Sequence, residues 1–148
     1  MKGTLDKFTR DNNYIGCTLA YGHFTTIHQG HIRYLKYAKN LDEILVIALT
    51  GDNNEYRFTQ EERAECLDLL GLADGIVLLK NKELDQVTKK LKPRHLILGK
   101  EFKNSKDVII NSVIKSQIKE NRKILFHAGE VNYFSDNLLQ NSERKILN

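Results

Sequence analysis

Ile15-Gly16-Cys17-Thr18-Leu19-Ala20-Tyr21, with Gly22 behind it and the segment Gln29 to Lys39 a short loop further on, decides how this chain is read. A β-rich run leads through a glycine into a stretch that puts Ile32, Leu35 and Ala38 on one helical face, which is the pattern of strand, tight loop, helix. Outward from that unit the alternation repeats. Ile44 to Leu49 is apolar without interruption, as in a strand buried on both faces, and Gln60 to Leu70 turns Ala64, Leu67 and Leu70 to one side with Gly71 as the stop. Three more short apolar runs follow, Gly75 to Leu79, His95 to Leu98 and Lys123 to Phe126. The helical segments Glu83 to Leu91 and Asp107 to Glu120 separate them, and Pro93 punctuates the loop before the fourth strand. Five strands alternating with helices predict an α/β domain with a right-handed, mostly parallel sheet covered on both sides. Ligands in such sheets sit at the carboxyl ends of the strands, so chemistry is expected just after Tyr21, Leu49, Leu98 and Phe126. Ser135 to Asn148 reads as a short terminal helix.

The 148 residues, 41% hydrophobic and 28% charged, suit one domain over 1–148, with residues 1–13 as a polar N-terminal extension. Ile44 to Leu49 covers only about a third of a bilayer crossing, and the first residues carry no apolar core of the signal-peptide kind, so neither a membrane partner nor secretion is expected. The net charge of +4, from 23 Lys and Arg against 19 Asp and Glu, is mixed along the chain. It does not point to nucleic acid and agrees with a site that attracts phosphorylated small molecules. Cys17 and Cys66 fall inside predicted core elements without C-x-x-C spacing, which argues against a disulfide framework or a zinc knuckle and for a reducing, cytoplasmic setting.

Where the fold expects a ligand stands Gly22-His23-Phe24-Thr25-Thr26-Ile27-His28-Gln29-Gly30-His31, with three of the five histidines of the chain. His28 and His31, three apart at the mouth of a helix, project to one side above a terminus whose free N–H groups attract phosphate. Gly30 keeps the backbone between them bare, and Gly22 lets a ligand approach the strand exit. Spacing alone leaves open a pair of exposed helix-start side chains or a metal site. A zinc site needs further ligands, and His23, His95, His127 and the cysteines offer none at matching spacing, so no metal ligands are assigned.

Gly22-x-Phe24-x-x-x-His28-x-Gly30-His31 resembles the H-x-G-H signature of the cytidylyltransferase-like nucleotidyltransferases. Ile32 to Lys39 is similar to their first helix, Glu62-Arg63-x-x-x-Leu67 to their second-helix element, Leu98-Gly99-Lys100-Glu101-Phe102 to the loop after their fourth strand, and Gly129-Glu130 with Phe134-Ser135 to their last phosphate-binding turn. The resemblance spans about residues 15–140 and is strongest to the nucleotidyltransferase domain of ADP-heptose synthases and to glycerol-3-phosphate cytidylyltransferases. Two positions depart from it. Thr25 stands where the family usually has Asp, and Asp136 follows Ser135 where close relatives have a second hydroxyl residue.

The resemblance implies a Rossmann-like three-layer sandwich and transfer of AMP or CMP from a nucleoside triphosphate to a sugar or polyol phosphate, with magnesium as cofactor and pyrophosphate released. It assigns His28, His31 and Arg63 to catalysis, and Tyr21, Gly22, Phe24, Thr25, Gly30, Gly99, Lys100, Glu101 and Ser135 to nucleotide binding. Without the family, Arg63 reads as a solvated helix arginine paired with Glu61, Glu62 or Glu65. Arg57 and Lys39 are weaker candidates for the same edge. A homodimer, or fusion to a sugar kinase, is expected by the same resemblance. The departures at Thr25 and Asp136 motivate an alternative, a nucleotide-binding module with impaired catalysis and a regulatory or fused-partner role.

Overall fold

The computed structural model describes residues 1–10 and 12–127. β1 (Lys2–Thr4) leads into α1 (Leu5–Thr9), and from there strands and helices alternate: β2 (Thr18–Gly22), α2 (Gln29–Lys39), β3 (Leu45–Leu49), α3 (Gln60–Leu70), β4 (Gly75–Leu78), α4 (Leu84–Leu91), β5 (His95–Gly99), α5 (Val108–Lys119) and β6 (Lys123–His127). All pairings are parallel, in the order β1-β4-β3-β2-β5-β6. The sheet therefore has six strands where the sequence predicts five.

The additional strand belongs to the segment read as a polar extension. Lys2, Gly3 and Thr4 pair with Ile76, Val77 and Leu78, and α1 then folds Phe8 into the interior with none of its surface exposed. Gly75 makes room for that ring, since a Cβ at this position would lie 2.6 Å from Phe8 Cε1. Tyr14 packs beside it over the same glycine, its ring centroid 4.8 Å from that of Phe8.

Two apolar layers sandwich the sheet, and strand periodicity distributes residues between them. Leu19 and Tyr21 of β2, with Val46 and Ala48 of β3, face a layer completed by Phe8, by Leu84, Val87 and Leu91 of α4, and by Ile110 and Val113 of α5. Ala20, Leu45, Ile47 and Leu49 face the other, built with Tyr34, Leu35 and Ala38 of α2 and Ala64 and Leu67 of α3. Each fully buried leucine or isoleucine stabilises this arrangement by about 1.5–3 kcal/mol.

Helix boundaries follow local chemistry. Thr59 and Glu62 form a reciprocal capping box on α3, and Gly71, in the left-handed region at φ 70°, ends it. Asp107 caps α5 by accepting from the N–H groups of Ile109 and Ile110. At the amino ends of the strands Asp42 ties β2 to β5, accepting from Thr18 Oγ1 at 2.6 Å and lying 2.8 Å from His95 Nδ1. Cys17 is buried as expected, and burial pushes its thiol up to about 12. Cys66 is exposed, because α3 turns positions 64 and 67 inward and leaves 66 on the solvent side. Among the described residues no helix is long and apolar enough to cross a membrane. The tail from Ser135 lies outside the described residues.

Candidate active site

The winding of the sheet reverses at β2, which has β3 on one side and β5 on the other. Loops leaving the carboxyl ends of such strands diverge and leave a crevice between them. Here the crevice is a cleft of about 310 Å³, lined by residues 21–26, His28, His31 and Tyr34 from the β2–α2 unit and by Gly99, Glu101, Phe102 and His127 from the ends of β5 and β6.

His28 is the N-cap of α2, and two imidazoles build its capping box. The N–H of Gly30 donates to His28 Nδ1 at 3.0 Å, and the N–H of His28 donates to His31 Nδ1 at 3.4 Å. A neutral imidazole that accepts at Nδ1 carries its proton on Nε2, so the helix start sets the tautomer of both rings. The ring centroids stand 4.3 Å apart. Burial, and after it the neighbouring His28, pushes protonation of His31 down to about 4, which keeps this ring neutral near pH 7. Two Nε2–H donors at the positive end of a helix dipole suit an anion without requiring a formal positive charge.

Phe24 shapes the loop before the helix. It is buried at φ 50°, a left-handed conformation uncommon for a bulky residue, and its ring folds back over the strand exit, where a Cβ on Gly22 would come within 3.1 Å of it. The space above Gly22, expected to be left open for a ligand, is taken up by this ring. Phe24 also contacts His31 and Tyr34, with ring centroids at 5.8 and 6.5 Å.

A second layer holds the loop from behind. His23 Nδ1 lies 2.8 Å from both Thr50 Oγ1 and Tyr56 Oη. Burial, and then the charge of Lys82, holds His23 below its ordinary value despite the opposing pull of Glu101. Arg63 lies deeper still, with 1% of its side chain exposed, and donates to three carbonyl oxygens: His23 at 2.7 Å, Gly51 at 2.9 Å and Phe58 at 3.2 Å. Its guanidinium also sits over the Tyr56 ring at 4.9 Å.

Of the residues singled out in the sequence, Tyr21, Gly22, Phe24, Thr25, His28, His31, Gly99 and Glu101 all line the cleft. Gly30 serves through its backbone N–H, and Glu101 folds its carboxylate against Gly99. Arg63 and Lys100 do not line it. Lys39 is paired with Asp74 at the far end of α2, Arg57 packs over Phe58, and Ser135 lies outside the described residues. Sequence reasoning gives no cleft role to His23, Thr26, Tyr34 and Phe102, and His127, the potential cation nearest the last turn, lines the cleft as a neutral ring because burial pushes its protonation down to about 4. For Tyr34 the available signal was its position one helical turn beyond His31, and for His127 its position at the end of the fifth apolar run.

The cytidylyltransferase-like family profile matches residues 19–133. The chain belongs to this family and is a domain of the nucleotidyltransferase type. Its sequence is 31% identical over 130 residues to the bifunctional protein HldE of Helicobacter pylori (strain J99), covering 82% of this chain and 27% of that protein. It is 29% identical over 97 residues to the FAD synthase of Methanosarcina acetivorans, covering 62% of this chain and 64% of that one. The chain thus spans about a quarter of the length of the HldE protein. Among solved structures, the lipopolysaccharide core biosynthesis protein of Thermoplasma volcanium superposes with a TM-score of 0.60 at 24% identity, covering 77% of this chain and 97% of that one. A pantoate-beta-alanine ligase from Francisella tularensis superposes at 0.54 and 17% identity, covering 84% and 64%. These two likenesses bear on the fold, which is Rossmann-like.

Proposed function

We propose that the chain transfers AMP or CMP from a nucleoside triphosphate to a sugar or polyol phosphate. The observation that carries this reading is the imidazole capping box of α2 at the reversal point of the sheet, in which His28 and His31 each accept a backbone N–H at Nδ1 and both rings line the cleft. An acceptor phosphate oxygen attacks the α-phosphorus, the bond from that phosphorus to the bridging oxygen breaks, and pyrophosphate leaves with the electron pair. Such a transfer needs position and charge stabilisation rather than a protein nucleophile. His28 and His31 donate to oxygens on which charge grows, and the positive end of the α2 dipole adds to them.

Arg63 acts in this reading as a positioning residue. By holding the carbonyls of His23, Gly51 and Phe58 it sets the loops that follow β2 and β3. Glu101 is the carboxylate lining the cleft among the described residues, and no group of three metal-ligating side chains stands together among them. That donor set suits magnesium carried in on the triphosphate, with Glu101 to meet it, and the ion would neutralise phosphate charge. Assembly as a homodimer in the cytoplasm belongs to the same proposal.

The test is to incubate the protein with magnesium, each of the four triphosphates and a panel of phosphorylated sugars and polyols, and to measure pyrophosphate. Release that depends on one triphosphate and one acceptor class is expected, and release indifferent to both removes the reading. A second reading, a nucleotide-binding module with impaired catalysis, is favoured by Thr25 in the cleft and by the lack of Lys or Arg among its described lining residues. Calorimetry separates the two, because tight triphosphate binding without turnover of any acceptor selects the module.

A further inference from the structure

Beneath His31, the rings of Tyr34 and His127 stack with centroids 3.8 Å apart and planes 12° from parallel. Tyr34 is 2% exposed and His127 7%, and both line the cleft. Tyr34 Oη and His127 Nδ1 are also the two buried side-chain polar atoms without a hydrogen-bond partner among the described residues. Two such atoms on one stacked pair that lines the cleft stand out, since buried polar groups are almost always paired. Resting on the nucleotide reading above, we infer that Tyr34 and His127 form a subsite for an uncharged polar group of the nucleoside, a ribose hydroxyl or a polar edge of the base.

The chemistry of the pair selects an uncharged group. Burial, and then the neighbouring His31, pushes His127 protonation down to about 4, and burial raises the Tyr34 phenol above its ordinary value, so both side chains are neutral near pH 7. A phosphate would find a cation at neither. Its donors are at the mouth of α2, at His28 and His31, and with the phosphates there the nucleoside has the β5 and β6 side of the cleft, where His127 stands opposite Gly99. A phenol and a neutral imidazole each pair with a group that both donates and accepts, and a site built to bond such a group discriminates against ligands lacking it.

The test compares wild type with Tyr34→Phe and His127→Phe, which keep the stacked rings and remove one polar atom each, and with His127→Asn, which restores a polar atom. Binding of the four magnesium triphosphates, of their 2′-deoxy and 3′-deoxy forms, and of magnesium tripolyphosphate is measured by calorimetry, with thermal melts to establish folding. We expect the Phe variants to bind the preferred triphosphate about tenfold more weakly, to bind tripolyphosphate like wild type, and His127→Asn to recover part of the loss. A deoxy form that binds wild type as weakly as it binds the variants assigns the contact to the ribose, and a loss confined to one base assigns it to the base. Triphosphate affinity unchanged in both Phe variants overturns the subsite, as does an equal loss for tripolyphosphate. Wild type binding neither tripolyphosphate nor any triphosphate overturns instead the nucleotide reading on which the subsite rests.

Discussion

Arg63 Nη1 donates to the carbonyl oxygen of His23 at 2.7 Å, across 40 positions of sequence. One buried side chain thereby fastens the loop of the candidate active site to the helix that follows the next strand. Arg63→Met removes the donors from three carbonyls at once, and a buried acceptor left without a partner costs about 1–3 kcal/mol. Chemical denaturation should show a loss of about 3 kcal/mol or more, with Arg63→Lys intermediate because a single ammonium cannot match the fork of the guanidinium. A loss below about 0.5 kcal/mol, the range of ordinary surface substitutions, would show that the carbonyl contacts do not hold these loops.

His28 has two separable tasks, capping α2 and presenting Nε2–H. Asn is among the best N-caps, so His28→Asn should leave stability within about 0.5 kcal/mol. Pyrophosphate release should fall on the order of 10²- to 10³-fold, as for other lost transition-state donors. Retained turnover in a folded variant would move the chemistry elsewhere.

Stability should depend on pH in a definite window. His31 and His127 take up protons near 6.5 in the unfolded chain but only near 4 in the folded one. Between those values the unfolded state holds more protons, so stability rises with pH from about 4 to 6.5 and levels off above. His23, lowered first by burial and then by Lys82, adds in the same direction. Denaturant midpoints from pH 4 to 7.5 should climb less steeply in His127→Phe than in wild type, and identical slopes would contradict the assignment.

Further down the pH scale Asp42 takes over. Burial raises its pKa, but the hydrogen bonds from Thr18 and His95 and the charges of His95 and Arg94 outweigh that and leave it below the ordinary 3.8. A depressed carboxyl contributes stability above its unfolded value and loses it as pH falls through the folded one. In Asp42→Asn the acid-side decline below about pH 4 should shrink, while the part due to Asp74, likewise lowered, persists.

Phe8→Ala should cost about 3–5 kcal/mol, a core-sized loss from a segment that reads as polar. Urea denaturation checks it, and a loss under 1 kcal/mol would mean that α1 is only lightly attached.

That mismatch shows where the sequence is legible and where it is not. The helices 29–39 and 60–70 are observed at their predicted boundaries because caps and apolar spacing agree locally. The run Ile44 to Leu49 is apolar without a break because the strand it forms, Leu45–Leu49, is buried along its whole length. β1 offers only three residues at a sheet edge, and no periodicity can be read from three residues. Arg63 was opaque for a different reason. Its hydrogen-bond partners are backbone carbonyls, which carry no residue identity, and its ion-pair partner is Asp52, 4.0 Å away, rather than the acidic residues beside it on the helix. The cleft was legible at the H-x-G-H segment, where a motif is contiguous. Tyr34, Phe102 and His127 meet there only after three elements have packed.

The two imidazoles at the head of α2 serve the backbone with Nδ1 while their rings line the cleft. Adding a proton to His31 at Nδ1 evicts the His28 N–H bonded there. Acid would then fray the first turn of the helix in the same event that changes what the rings offer a ligand, so the integrity of this turn and the readiness of the site stand or fall together.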